Sequence, residues 1–187
     1  MEISQIISQS KEIQDWIVEK RRIIHRNPEL MYEEFETSKL VQNTLEDLDI
    51  PFEKDIAITG VVGTIGNGED PCIALRADMD ALPIHEQADV EFRSEIDGKM
   101  HACGHDCHTA MLLGAARVLK KNESSIEGTI KLIFQPAEEG GAGGKMMKEQ
   151  GVLEKPKVQQ IYALHVAGTM PMGTLSSNCL LYTSPSP

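Results

Sequence analysis

Cys72-Ile73-Ala74-Leu75-Arg76-Ala77-Asp78-Met79-Asp80 is a short apolar run that stops abruptly in acids. A continuous run of that length fits a strand buried on both faces, because a half-wet strand would alternate polar and apolar residues. Residues 128–135 form a second run, with Ile130, Leu132, Ile133 and Phe134, and Glu138 and Glu139 follow it. Residues 158–166 form a third, which contains His165. Helices separate these runs. Residues 109–121 place Ala110, Leu112, Leu113, Ala115, Ala116, Val118 and Leu119 on an apolar side, and a short helix over 145–150 follows the glycine-rich 140–144. Such alternation predicts an α/β fold with a mixed or parallel sheet covered by helices on both faces. In sheets of that kind ligands gather beyond the carboxyl ends of the strands.

Upstream, Ile3, Ile6, Ile7, Ile13, Trp16, Ile17, Ile23 and Ile24 recur at helical spacing, which predicts one amphipathic helix over 3–25, ended by Asn27-Pro28. A second helix is expected over 33–48, stopped by Pro51. Ile56, Ile58, Val61, Val62 and Ile65 are strand formers, with Gly60 and Gly66-Asn67-Gly68 as turn signals. The polar segment 85–100 has no period, and no internal repeat is visible. The tail Leu181-Tyr182-Thr183-Ser184-Pro185-Ser186-Pro187 is Ser/Pro-rich and is expected to be unpacked.

The 187 residues suit one domain or one and a fraction. Hydrophobic residues make up 41% and charged residues 25%, which excludes disordered and collagen-like classes. The net charge of −11 repels phosphate backbones, so no nucleic-acid partner is expected. No apolar run reaches the ~18 residues of a membrane span. Met1-Glu2-Ile3-Ser4-Gln5 lacks the basic and apolar regions of a secretory signal, so a cytoplasmic protein is expected.

Two of the four cysteines and three of the six histidines fall within residues 101–108. Clustered thiols and imidazoles in a cytosolic chain point to a metal or reactive site rather than a disulfide. Cys103, His105, Asp106 and His108 precede one helix, Asp78 and Asp80 follow the first strand, and Glu138 and Glu139 follow the second. With His165, these groups converge at one sheet edge if the strands are neighbours. Thiolate, imidazole and carboxylate together favour zinc, and manganese, cobalt or nickel where carboxylates dominate. In the glutamate pair, one member can ligate while the other acts as general base. Blander readings stand beside these. Asp106 or Thr109 taken alone reads as a helix cap, His25 and His85 as surface residues, Cys72 as core and Cys107 as packing. The 140–144 stretch reads as a turn rather than an anion nest. A closed, structural zinc site using Cys103, His105, Glu139 and His165 is the serious rival to a catalytic one.

Four stretches also carry a resemblance. Arg76-Ala77-Asp78-Met79-Asp80-Ala81-Leu82-Pro83 is the first, and Met100-His101-Ala102-Cys103-Gly104-His105-Asp106-Cys107-His108-Thr109-Ala110 the second. Phe134-Gln135-Pro136-Ala137-Glu138-Glu139-Gly140 and Ala163-Leu164-His165-Val166 complete the set. In this order they resemble the amidohydrolase branch of the aminoacylase/carboxypeptidase G metallopeptidase family, which includes hippurate hydrolases, N-acyl-L-amino-acid amidohydrolases and indole-acetyl-amino-acid hydrolases. His25-Arg26-Asn27-Pro28-Glu29-Leu30 looks like that family's start, and the likeness runs over roughly residues 15–177.

The resemblance implies a zinc-peptidase-like three-layer sandwich, here incomplete, and a pair of divalent metal ions. It places Cys103, His105, Glu139 and His165 on metal-ligand positions, Glu138 on the general base, and Asp78 on an acid that supports the metal centre. His101 and Asp106 lie inside the motif as candidates for supporting the ligands. The substrate it implies is an N-acyl amino acid, hydrolysed to a carboxylate and an amino acid. A dipeptidase or deacetylase, or a metal-binding fragment without turnover, are the alternatives. By the same likeness, residues 1–177 form the N-terminal part of a catalytic domain and residues 178–187 do not match the family. A lid or dimerisation domain and a later histidine ligand are missing, and a homodimer stays open for the full-length form.

Overall fold

The computed structural model describes residues 2–176; the tail expected to be unpacked lies outside the described residues. Helices α1 (Ile3–Glu12), α2 (Gln14–Arg26) and α3 (Phe35–Asp47) lead into strands β1 (Phe52–Ile56), β2 (Gly60–Gly66) and β3 (Cys72–Asp78). Helix α4 (His105–Lys121), strand β4 (Thr129–Gln135), helix α5 (Gly143–Glu149) and strand β5 (Val158–Ala163) follow. The strands form one sheet in the order β1-β2-β4-β3-β5. β1, β2 and β4 pair antiparallel, whereas β4, β3 and β5 run parallel, so the sheet is mixed as expected.

One face packs against α3 and α4, with Val41, Leu45, Leu112, Leu113 and Ala116 on Val61, Ile65, Leu132 and Phe134. The other face is covered by α5 and the residues after it, where Met147 and Val152 meet Val62, Ala74 and Ile133. Helices therefore lie on both sides of the sheet. β4 is buried along six of its seven residues, Thr129 and Lys131 included, which fits a strand covered on both faces. β5 is different: five of its six residues are exposed, because it is the edge strand.

Several expectations change in detail. The single helix over 3–25 is two helices, broken at Ile13, whose ψ of 9° leaves helical geometry. Periodicity cannot reveal a one-residue break when both pieces keep similar apolar spacing. α2 then lies close on α4: a Cβ at Gly114 would sit 2.5 Å from Ile17 Cδ1, so glycine permits the approach. α4 begins at His105, four residues ahead of the expected start. Its N-cap is Gly104, at φ 90°, where an added Cβ would meet Val166 Cγ2 at 2.3 Å. β5 ends at Ala163, so His165 follows the strand instead of lying within it. His25, expected at the surface, is 3% exposed. Asp106, read as a cap when taken alone, lies inside the first turn of α4 with its carboxylate buried and bonded elsewhere.

Candidate metal centre

The parallel strands bring the candidate site residues to one end of the sheet. Asp78 on β3 pairs in register with Gln135 on β4, and Arg76 pairs with Ala163 on β5. Residues just past these three strand ends, namely Asp80, Glu138, Glu139 and His165, therefore emerge side by side. The loop before α4 adds Cys103, and the first residue of the helix adds His105.

His105 is the centre of the arrangement. Its ring is fully buried, and Nδ1 lies 3.2 Å from Asp80 Oδ1. The carboxylate accepts a hydrogen bond from Nδ1–H, and with the proton held there Nε2 keeps a free lone pair. Nε2 has no hydrogen-bond partner; Asp78 Oδ2 is 3.7 Å away and Glu139 Oε1 is 3.8 Å away. Glu139 Oε1 is likewise buried without a partner. On another side of His105, Cys103 Sγ lies 3.4 Å from His165 Nε2. The donor atoms of Cys103, His105 and His165 all fall within 4.8 Å of one another, and so do those of His105, Glu138 and Glu139. Asp78, His105 and His108 form a third such set, so three donor sets share one imidazole.

The electrostatics fit a cation. Burial lowers the affinity of His105 for a proton, but the bond to Asp80 and the charges of Asp78, Asp80 and Glu139 outweigh it and raise its pKa. Burial pushes the Cys103 thiol up, and Glu139, Asp78 and Glu138 push it further, to about 12. Carboxylates crowded against a thiol and an imidazole hold protons where a divalent ion would displace them. Two orphaned buried acceptors, each costly to leave unpaired, make the same point. The residues present fit a divalent metal centre.

Backbone and side-chain bonds hold the loops that carry the candidate ligands. Asp80 Oδ1 and Oδ2 accept the backbone N–H of Glu138 and of Glu139, both at 3.0 Å. Asp78 Oδ1 lies 2.6 Å from His108 Nδ1, and His108 Nε2 accepts the N–H of Val166 at 3.0 Å. His108 therefore joins β3 to the segment bearing His165. Burial raises the Asp78 carboxyl, but the bond to His108 and the charges of Arg76, His105 and His108 hold it down at about 2.

The expected residues do not all stand together. Cys103, His105, Glu138, Glu139 and His165 converge, and Asp78 lies behind them against His108 and Arg76. Asp106 faces away from this point: its Oδ2 lies 2.6 Å from Arg21 Nε and 2.8 Å from His25 Nδ1. His101 is buried with neither ring nitrogen partnered, and burial lowers its pKa to about 4. Asp80 and His108 are contributors that sequence reasoning left without a role. Both had a signal: Asp80 follows Asp78 by two in an extended chain, and His108 follows His105 by three on a helix, so each pair shares a side.

The profile of peptidase family M20/M25/M40 matches residues 74–179. The chain is 53% identical over 171 residues to the Arabidopsis thaliana protein IAA-amino acid hydrolase ILR1-like 5, covering 91% of this chain and 39% of that one. It is 44% identical over 165 residues to N-acetylcysteine deacetylase of Bacillus subtilis, covering 85% of this chain and 42% of that one. Among solved structures, the YXEP protein of Bacillus subtilis, described as a dinuclear metal-binding peptidase of the M20 family, superposes with a TM-score of 0.81 at 42% identity. That superposition covers 86% of this chain and 45% of that one. The chain spans about two fifths of the length of the curated relatives it matches. It belongs to peptidase family M20/M25/M40.

Proposed function

We propose that this member of the M20/M25/M40 family is part of a metal-dependent amidohydrolase that cleaves the amide bond of N-acyl amino acids, such as hippurate-like or indole-acetyl-amino-acid-like substrates. The products are a carboxylate and a free amino acid. Two named relatives support the substrate class: one is an IAA-amino acid hydrolase and the other an N-acetylcysteine deacetylase, and both names describe an amide between an acyl group and an amino acid. The observation that carries the reading is the pair of unpartnered buried acceptors, His105 Nε2 and Glu139 Oε1, beside Cys103 and His165.

Cys103, His105, Glu139 and His165 would hold two divalent ions, zinc or manganese, cobalt or nickel. Bound there, such ions polarise an amide carbonyl and acidify water. Glu138 is the free member of the glutamate pair, and its carboxylate takes the proton from the attacking water and returns it to the leaving amine. Asp80 keeps the His105 proton on Nδ1 and ties down the backbone of both glutamates. Asp78 acts one step back, orienting His108 and through it the chain next to His165.

In the full-length chain, Glu138→Gln should keep its metal content and lose about 10²–10⁴-fold in kcat on an N-acyl amino acid, the usual span for removing a general base. Metal analysis beside steady-state kinetics checks this. Near-wild-type turnover in that variant would remove Glu138 from the role.

A further inference from the structure

The connector between α2 and α3 contains no ligand and no base, yet it runs between the two loops that carry them. Leu30 forms an isolated parallel bridge with Ala81, whose N–H donates to Glu29 O at 2.7 Å. This touches the loop that follows Asp80. Further along, the Tyr32 hydroxyl donates to Gly141 O. Glu34 Oε1 accepts the N–H of Ala137 at 2.9 Å, and Glu34 Oε2 accepts from Thr59 Oγ1 at 2.5 Å. These contacts grip the loop that bears Glu138 and Glu139 from its outer side, while Asp80 grips it from the inner side.

Glu34 is fully buried and has no ion-pair partner among the described residues. Burial drives its carboxyl up, against the bonds from Thr59 and Ala137. A buried acid without a cation is costly, so its retention here calls for a specific task. Ala137 supplies one. It is a non-glycine residue at φ 51°, in the left-handed region, and its N–H would be orphaned without Glu34. Glu138 is the next residue.

We propose that Glu34 is a positioning residue: through the Ala137 N–H it holds the loop over residues 136–141 so that the Glu138 carboxylate faces the metal centre. This rests on the reading of Glu138 given above. A catalytic group displaced by ~1 Å costs on the order of 10²-fold in rate.

The first measurement needs no activity. In the metal-free protein, amide exchange over residues 137–141 should be roughly tenfold faster in Glu34→Ala than in the parent, since losing the anchor lets the loop open locally. It should stay near the parent rate in Glu34→Gln, whose amide oxygen still accepts from Ala137 and whose NH₂ reaches Thr59 Oγ1. The second uses the full-length chain loaded with Zn²⁺ and an N-acetyl amino acid. Per metal-loaded molecule, Glu34→Ala should lower kcat about 10²-fold with KM within about threefold, and Glu34→Gln should recover kcat to within about threefold. Thr59→Val loosens the same carboxylate more mildly, should shift both readouts in the same direction, and decides the matter if Glu34→Ala does not fold. Unchanged exchange over 137–141, unchanged kcat per bound metal, or a Gln variant as impaired as the Ala variant would each overturn the proposal. Glu138→Gln is assayed in parallel. If it turns over normally, the reading of Glu138 fails by itself, and the exchange experiment still decides whether Glu34 holds the loop.

Discussion

His105 and Asp106 are adjacent, both fully buried, and they serve opposite ends of the polarity balance. Asp106 looks toward α2, into a network that pairs its Oδ2 twice and leaves its Oδ1 buried without a partner. Arg21 and His25 meet Asp106 Oδ2, and the other His25 nitrogen reaches Glu86 Oε1 at 3.1 Å. Glu86 in turn accepts the Ser94 N–H, which fixes the otherwise irregular segment 85–100. His105 looks toward the strand ends, into a cluster whose donors are left unpaired. A buried polar cluster that pairs internally behaves as structure, whereas one that does not pair needs something from outside. One turn of α4 thus separates a structural network from a site.

The contrast can be broken from either side. The largest effect is expected in the paired network: Asp106→Ala leaves the His25 and Arg21 charges without their buried partner and should cost about 3–5 kcal/mol of stability. Chemical denaturation measures that cost, and the folded variant should still take up metal. Loss of metal affinity without loss of stability would show that the two regions are not separate. Next, Asp80→Asn removes the charge that orients His105, and it should weaken metal binding about 10–100-fold by calorimetric titration. Its metal-free stability should change less than that of Asp106→Ala. The smallest effect is in pH dependence. The bond to Asp106 raises the His25 pKa above the ordinary 6.5, against burial, with the Glu86 bond adding to it. Its stabilisation is therefore complete below about 6.5 and is lost as pH rises through the raised value. His25→Asn should flatten that part of the Tm-against-pH curve, and an unchanged slope would place the titration elsewhere.

Much of this contrast is legible in the amino-acid sequence. The apolar runs at 72–75 and 128–135 mark strands buried on both faces, and β3 and β4 are the central pair of the sheet. The crowding of Cys103, His105 and His108 in six residues marks the candidate chemistry. His25 was not readable, because a lone histidine at the end of an amphipathic helix carries no mark of the acids it will meet 61 and 81 residues away. Glu34 was equally silent. Among 29 acidic residues, nothing in the local pattern distinguishes one that will be sealed against a backbone amide 103 residues downstream. The fate of Asp78 and Asp80 lies between these cases. Their spacing shows that they share a side, but not that Asp80 takes His105 while Asp78 takes His108.

Residue order therefore settles the elements and the donor types, since helical and extended periods are local properties of the chain. Which donors share a point depends on the β4-β3-β5 arrangement, which sets three parallel strand ends side by side and lets Glu139, His105 and His165 meet. Strand order is a matter of long-range pairing and packing. It is determined by how whole faces of the sheet are covered, and no short stretch of sequence contains that information.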